Sequence, residues 1–331
     1  MNIIIMLIEE LNMKDDFENI ENNKNIDNNK IINSNKNDDT IVLNNYINNK
    51  FENNKEAMEE PTENVMEVWH PLKFDVNEKY KYVPTNIFFK IISWTIYYII
   101  AVPILSIILK IVYDFKIEGK ENLENLQGGA ITVSNHVLVL DCAMVGLAVC
   151  GKKKIFYTTQ SESFQIPFVR KLIKLLRAIP IPKGVKNKER MVKEISNLLK
   201  DDKFVHFYPE AILYPYCNKI RHFKNGAFDL AIKNDVPIVP IVIKFRQPKG
   251  IRKILKRKKD VTLKILEPIY FEKILKEESQ DNLDNNLENN SKSNSKLEDT
   301  SNKTILSSRE KAIILRDKVH EKMENEITNL A

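Results

Sequence analysis

Lys203–Ile243 reads KFVHFYPEAILYPYCNKIRHFKNGAFDLAIKNDVPIVPIVI. Phe204–Tyr208 is a short apolar run that stops at Pro209, a residue unable to continue a central ladder. Lys224–Lys233 has a helical period. Val236–Ile243 is a second run of β-branched residues, entered through the turn signal Asn234–Asp235. Strand, loop, helix and strand thus follow one another in one stretch, which is the pattern of an α/β unit. Working outward, further strand-like runs lie at Ala130–Ser134, Ile155–Thr159, Ile179–Ile181 and Val261–Leu266. Helical periods fill the intervals at Leu138–Cys150, Phe164–Arg177 and Lys188–Lys200. The expected fold class is α/β, a mixed, largely parallel sheet flanked by helices and preceded by an N-terminal membrane-associated helical segment. Sites in such sheets collect at the carboxyl ends of strands, so Ser134–His136 and Tyr208–Glu210 come first for inspection.

Charge divides the 331 residues into unlike parts. Residues 1–65 hold 18 Asn, with 6 basic against 14 acidic groups, a net of −8. That composition cannot bury enough apolar surface to offset its ordering entropy. Residues 277–303 are Asn- and Ser-rich, with 3 basic and 7 acidic groups. The remaining core, 66–276, carries 37 basic and 19 acidic residues, a net of +18 hidden by the whole-chain +6. The expected organisation is a disordered acidic arm at 1–65, a membrane-associated helical segment at 66–116, an α/β domain at 117–276, a disordered insertion at 277–303 and a C-terminal amphipathic helix at 304–331. Three cysteines, Cys142, Cys150 and Cys217, without paired spacing argue against a disulfide framework or a zinc site, so no metal is expected. No phosphate loop or dinucleotide-binding glycine fingerprint occurs. The start MNIIIMLIEE lacks a basic n-region, which makes it a poor signal peptide and a reducing cytoplasmic compartment the default.

Ile91–Leu109, IISWTIYYIIAVPILSIIL, is uncharged over 19 residues, near the ~20 that cross a bilayer core. A spanning helix, a buried core helix and a bent or in-plane segment all accommodate it. Pro103 removes a backbone donor inside the run, so a kink is expected there. Cations flank both ends, at Lys81 and Lys90 and at Lys110, Lys116 and Lys120, which gives the positive-inside rule no asymmetry to read. Both ends on the cytoplasmic face would satisfy that rule. The basic excess has nucleic acid and anionic lipid as ordinary targets. No nucleic-acid-binding signature accompanies it, and beside a membrane segment anionic lipid is the better partner.

His136 and Asp141 are five apart, about 140° off one face of a regular helix. They can pair if His136 stays in the strand-to-helix turn and Asp141 opens the helix. The carboxylate would then accept from one ring nitrogen and leave the other as a base, a triad without its serine, which suggests that the substrate brings the hydroxyl. By spacing alone a surface His near an unrelated Asp is the plainer reading; the position directly after a strand strengthens the pair. Pro209 ends a strand and offers Glu210 at its tip, where a solvated carboxylate is the plainer reading. His206, alternating with Phe204 and Tyr208, reads as a satisfied structural histidine. Lys224, opening the KNGAF helix, reads equally as a solvated first-turn cation.

The ordered blocks NHVLVLD, RAIPIPK, YPEAIL with RHFKNGAF, and VPIVPI resemble the acyltransferases that acylate glycerol 3-phosphate and lysophosphatidic acid, over about Gly119–Leu266. The resemblance implies that His136 is the base and Asp141 its partner. The family's second block reads Gly, three residues, Ile or Val, one residue, Arg, the Arg holding substrate phosphate. Here Arg177 stands at the Gly and Lys183 at the Arg, which keeps the charge without the bidentate fork. The third block reads Phe-Pro-Glu-Gly-Thr-Arg. Here Pro209 and Glu210 match, while Ala211, Ile212 and Leu213 replace the rest.

The implied reaction moves a fatty acyl group from acyl-CoA or acyl-carrier protein to the free hydroxyl of lysophosphatidic acid, giving phosphatidic acid in phospholipid synthesis. His136 would take the hydroxyl proton. Glu210 would position the glycerol, and Lys183, with Arg177 and Lys224, would hold phosphate. No cofactor is implied beyond the thioester co-substrate; the implied partners are the donor and membrane lipid, at the cytoplasmic face of a cell membrane. Glycerol 3-phosphate or another lysophospholipid as acceptor, a non-catalytic membrane-surface binding protein, and a thioester hydrolase are the alternatives.

Overall fold

The apolar, largely β-branched run AITVS has every residue buried and forms a central strand. The computed structural model describes residues 74, 76, 80–165, 167–255, 259–275 and 306–328. The arms expected at 1–65 and 277–303 lie outside the described residues. In chain order the elements are α1 (Ile87–Tyr113), β1 (Lys116–Glu118), β2 (Ala130–Ser134), α2 (Asp141–Val149), β3 (Ile155–Gln160), α3 (Pro167–Leu175), β4 (Ala178–Ile181), α4 (Val185–Lys200), β5 (Phe204–Phe207), α5 (Gly226–Asn234), β6 (Ile238–Arg246), α6 (Ile251–Leu255), β7 (Asp260–Ile265) and α7 (Ser308–Thr328). The seven strands form one sheet in the order β1-β7-β6-β2-β5-β3-β4. β6, β2, β5, β3 and β4 run parallel; β7 is antiparallel to β6, and β1 is parallel to β7. The sheet is therefore mixed and mostly parallel, as the alternation of strand and helix requires. The three-residue β1, KIE, has no readable pattern and was not expected from the sequence.

Register places the site. Thr132 pairs with His206 on one side and Val239 on the other, and His206 pairs in turn with Tyr157, which pairs with Ala178. The parallel strands thus end together, and the turns after β2 and β5 emerge side by side at the same edge of the sheet.

α1 continues through Pro103 rather than ending there. Its irregularity is a π turn at Ile96–Ala101, just before Val102–Tyr113 resumes with proline in its first turn. Widening the helix there accommodates the ring and the missing donor of Pro103. Only one stripe of α1 packs inward, through Ser93, Tyr97, Leu109 and Tyr113. The Ser93 hydroxyl donates to the Leu175 carbonyl at 2.6 Å, and the hydroxyls of Tyr97 and Tyr157 meet at 2.8 Å. Gly146 on α2 permits this approach, since a Cβ there would lie 2.5 Å from the Tyr157 hydroxyl and 2.8 Å from that of Tyr97. The outer face leaves Ile87, Phe88, Ile91, Ile92, Trp94, Ile99, Ile104, Ile107 and Ile111 exposed, which rules out a buried core helix.

α7 begins with a capping box. Ser307 Oγ accepts from Glu310 N at 3.3 Å, while the Glu310 carboxylate accepts from Ser307 N at 2.8 Å. Ala312, Leu315, Val319 and Met323 form its buried stripe, and Glu326 pairs with Lys244 and Lys264 of the sheet.

Candidate active site

The chain leaves β2 at Ser134, and Asn135 fixes the exit. Its side chain donates to the Ile243 carbonyl and accepts from Ile243 N, both at 2.9 Å, tying the end of β2 to β6. His136 follows in the turn, and Asp141 is the first residue of α2. Asp141 Oδ2 accepts from His136 Nδ1 at 3.1 Å, from Val137 N at 2.8 Å and from Leu138 N at 3.2 Å. One fully buried carboxylate therefore shapes the turn and orients the ring. With Nδ1 so engaged, Nε2 is without a partner among the described residues. The ring also stacks on Tyr208, centroids 4.0 Å apart and planes 18° apart.

The turn after β5 supplies Glu210. Its carboxylate accepts from His136 N at 3.3 Å, from Arg221 N at 3.1 Å, and from the Arg221 guanidinium at 3.2 Å (Nε) and 2.7 Å (Nη2). The glutamate side chain is 1% exposed and that of Arg221 27%. Both oxygens are already engaged by the protein, so Glu210 ties the two site turns together instead of standing open as a solvated carboxylate. Arg221 was missed in the sequence: it lies eleven residues from Glu210, and only the tertiary fold brings them together. The guanidinium also donates to the Ile212 carbonyl and leaves Nη1 without a hydrogen bond among the described residues.

His206 is fully buried on β5. Its Nδ1 lies 2.9 Å from Thr132 Oγ1 and its Nε2 3.3 Å from Ser134 Oγ. Because Ser134 Oγ donates to the Asn135 carbonyl, it accepts from His206, which assigns the Nε2–H tautomer. Burial, then the nearby His136, pushes its pKa down to about 3. His206 is thus neutral and structural.

The remaining expected residues fall in different places. Pro209 is buried, and its carbonyl accepts from Lys224 N at 2.9 Å; the Lys224 side chain is exposed beside this turn. Lys183 follows β4 at the same edge of the sheet, 87% exposed, its ammonium 3.1 Å from Glu162. Arg177 requires a correction, since it does not reach the His136 site. It precedes β4, one row before the Ala178–Tyr157–His206–Thr132 row, and so stands level with Ile131 near the other end of the strands. Its guanidinium lies 4.0 Å from the ring centroid of Tyr97 and 5.0 Å from that of Tyr98, under α1.

Two positions where the resembling family has glycine retain a glycine-like backbone. Arg177 has φ 70° and Ala211 has φ 64°. The left-handed conformation costs a side-chain-bearing residue ~1–2 kcal/mol, so the turns demand this geometry whatever residue occupies them.

Residues 114–244 match the family model described as Acyltransferase. Over 132 residues the chain is 31% identical to the 1-acyl-sn-glycerol-3-phosphate acyltransferase LPAT1, chloroplastic, of Arabidopsis thaliana, a match covering 40% of this chain and 36% of that protein. Over 162 residues it is 30% identical to the 1-acyl-sn-glycerol-3-phosphate acyltransferase BAT2, chloroplastic, of Brassica napus, covering 48% of this chain and 46% of that one. The chain thus spans less than half the length of these curated relatives. The crystal structure of the 1-acyl-sn-glycerophosphate (LPA) acyltransferase PlsC from Thermotoga maritima aligns with a TM-score of 0.41 at 19% identity, covering 74% of this chain and 96% of that one. Residues 114–244, the segment similar to the Acyltransferase family model, hold His136, Asp141, Glu210 and Arg221.

Proposed function

We propose that the protein is an acyltransferase that moves a fatty acyl group from acyl-CoA or acyl-carrier protein to the free hydroxyl of lysophosphatidic acid, giving phosphatidic acid. The observation that carries this reading is the His136–Asp141 pair, with the ring oriented through Nδ1 and Nε2 left to a substrate. The two similar plant proteins, both 1-acyl-sn-glycerol-3-phosphate acyltransferases by name, support the same acceptor. His136 Nε2 takes the acceptor's hydroxyl proton as its oxygen bonds to the thioester carbonyl carbon. The tetrahedral intermediate then collapses, the carbon–sulfur bond breaks, and the proton passes from the imidazolium to the departing thiolate. Asp141 stabilises the imidazolium and holds the tautomer. Glu210 acts by positioning: it joins the His136 turn to Arg221. Arg221 Nη1 then supplies the guanidinium contact to phosphate that Leu213 cannot make. Lys224 and Lys183 are the further cations of this site, Lys183 the more remote, since β4 lies three strand spacings, about 14 Å, from β2.

Membrane association belongs to the same reading. Contacts between α1 and the domain run from Ser93 to Tyr113, about 30 Å along the helix axis. A helix held to a soluble domain along such a length lies in the plane of the membrane rather than crossing it. The exposed isoleucine face then enters the bilayer, with both ends of the helix on the cytoplasmic side. The test is an acyl-transfer assay with purified protein in lipid, offering acyl-CoA and acyl-carrier protein donors against lysophosphatidic acid, glycerol 3-phosphate and lysophospholipids with other headgroups. Transfer to lysophosphatidic acid, lost in His136→Ala, is expected. Transfer only to acceptors without a terminal phosphate would overturn the choice of acceptor, and unchanged transfer by His136→Ala would overturn the mechanism.

A further inference from the structure

A second cleft lies under the first turns of α1, away from His136. Lys90, Lys154, Lys174 and Arg177 line it together with Tyr82 and Phe156, and no carboxylate does. None of the four cations has a carboxylate within ion-pair distance among the described residues. Lys154 and Lys174 rest against the rings of Phe156 and Tyr80, at 5.7 and 4.5 Å. Arg177 is only 5% exposed, and its buried Nε has no hydrogen-bond partner among the described residues. A buried donor without an acceptor is costly, as are clustered like charges without a counter-ion. The lysines register that cost. Burial lowers the pKa of both Lys154 and Lys174, and for Lys154 the neighbouring Arg177, Lys203 and Lys90 lower it further.

An anion would satisfy all four cations. The cleft measures about 40 Å³, room for roughly three water-sized groups, which suits the oxygens of a phosphate group. The adjoining surface of α1 is apolar, with Ile87, Phe88, Ile91, Ile92 and Trp94 each more than half exposed. A phosphate bound here would therefore sit at the level where a bilayer's headgroups meet its hydrocarbon. We propose that this cleft binds the headgroup phosphate of an anionic phospholipid and anchors the beginning of α1 at the membrane surface. The proposal rests on the in-plane reading of α1 given above, and it assigns Arg177 a ligand other than the acyl acceptor.

Flotation of the full-length protein with vesicles of phosphatidylcholine, with and without phosphatidylglycerol, tests it. Wild type should bind both, the phosphatidylglycerol vesicles more tightly. Lys154→Gln/Lys174→Gln should weaken binding to phosphatidylglycerol vesicles about 25-fold, or fivefold per cation, which corresponds to about 1 kcal/mol each. Its binding to phosphatidylcholine alone should be unchanged. A charge-matched control on α4, Lys193→Gln/Lys200→Gln, should lose less than about threefold. Equal losses in the two double variants, or no loss in the first, would overturn the proposal in favour of diffuse surface charge. Arg177→Gln, checked for intact fold by circular dichroism, should reproduce the selective loss; if it folds and retains full selectivity, the cleft is not the site. Excess inorganic phosphate at constant ionic strength should not abolish the phosphatidylglycerol preference; complete competition would assign the cleft to a soluble phosphate and overturn the lipid source. Failure of wild type to bind either vesicle would remove the membrane reading of α1 and this proposal together, whereas equal binding to both removes the proposal alone.

Discussion

Replacing Arg221 by Gln removes two charge-assisted hydrogen bonds, at 3.2 and 2.7 Å, from a carboxylate whose side chain is 1% exposed. Glu210 keeps two backbone donors, His136 N and Arg221 N, but its charge loses the only cation bound to it among the described residues. Breaking a buried pair by removing one partner costs ~3–5 kcal/mol. About a quarter of the guanidinium side chain is in contact with water, which favours the lower end, about 3 kcal/mol. For a domain of this size that corresponds to a fall of roughly 6–12 °C in Tm. The double variant Glu210→Gln/Arg221→Gln removes the stranded charge as well and should be more stable than Arg221→Gln alone. Urea unfolding of wild type, both single variants and the double variant, followed by circular dichroism in detergent, gives the coupling energy, expected at about 2 kcal/mol or more. Effects that add to within ~0.5 kcal/mol would refute the argument, because they would mean that the pair is not a unit in solution. Acyl transfer measured on the same proteins should fall with the loss of Arg221, since Glu210 also holds the His136 backbone.

His136→Ala should lower acyl transfer by ~10²–10⁴-fold while leaving Tm within about 2 °C, because the ring accepts no backbone hydrogen bond and its removal exposes no core. Asp141→Asn should lose both activity and stability, since the same oxygen orients the ring and accepts from Val137 N and Leu138 N; unchanged melting would mean that the turn does not depend on it. Ala211→Gly relieves a left-handed strain of ~1–2 kcal/mol against a glycine entropy cost of ~0.5–1 kcal/mol, so a net gain of about 0.5–1 kcal/mol in urea unfolding is expected. His206 has a folded pKa of about 3 against an ordinary value of 6.5, so between these values the unfolded chain binds a proton that the folded protein refuses. Its contribution to stability is therefore complete above pH 6.5 and is lost at about 1.4 kcal/mol per pH unit as pH falls toward 3. His206→Asn should flatten that part of the unfolding profile, and an equal slope in wild type and variant would show that other groups cause it.

The sequence by itself determined what rests on neighbours along the chain. Alternating β-branched runs and helical periods specify an α/β sheet, because each strand and helix must bury the face its own pattern makes apolar. The His136–Asp141 pair was legible for the same reason: five residues span one turn, and a strand exit followed by a helix start brings the two side chains together. Pro209 marked the end of β5 through its missing donor. The tertiary structure alone decided everything that depends on residues distant in the chain or on backbone geometry. Glu210 read as an open carboxylate until folding of the loop placed Arg221 against it. Arg177 read as a phosphate ligand by its place in a motif, yet the register of β3 with β4 sets it near the opposite end of the strands, under Tyr97 and Tyr98. The left-handed backbone at Arg177 and Ala211 could not be read from residues that normally avoid it. The apolar run of α1 fitted a span or a bent, in-plane segment, and a core helix less well, because hydrophobicity measures only transfer out of water. Only the packing of Ser93, Tyr97, Leu109 and Tyr113 shows that one stripe of the helix faces the protein and that its isoleucine face is left uncovered.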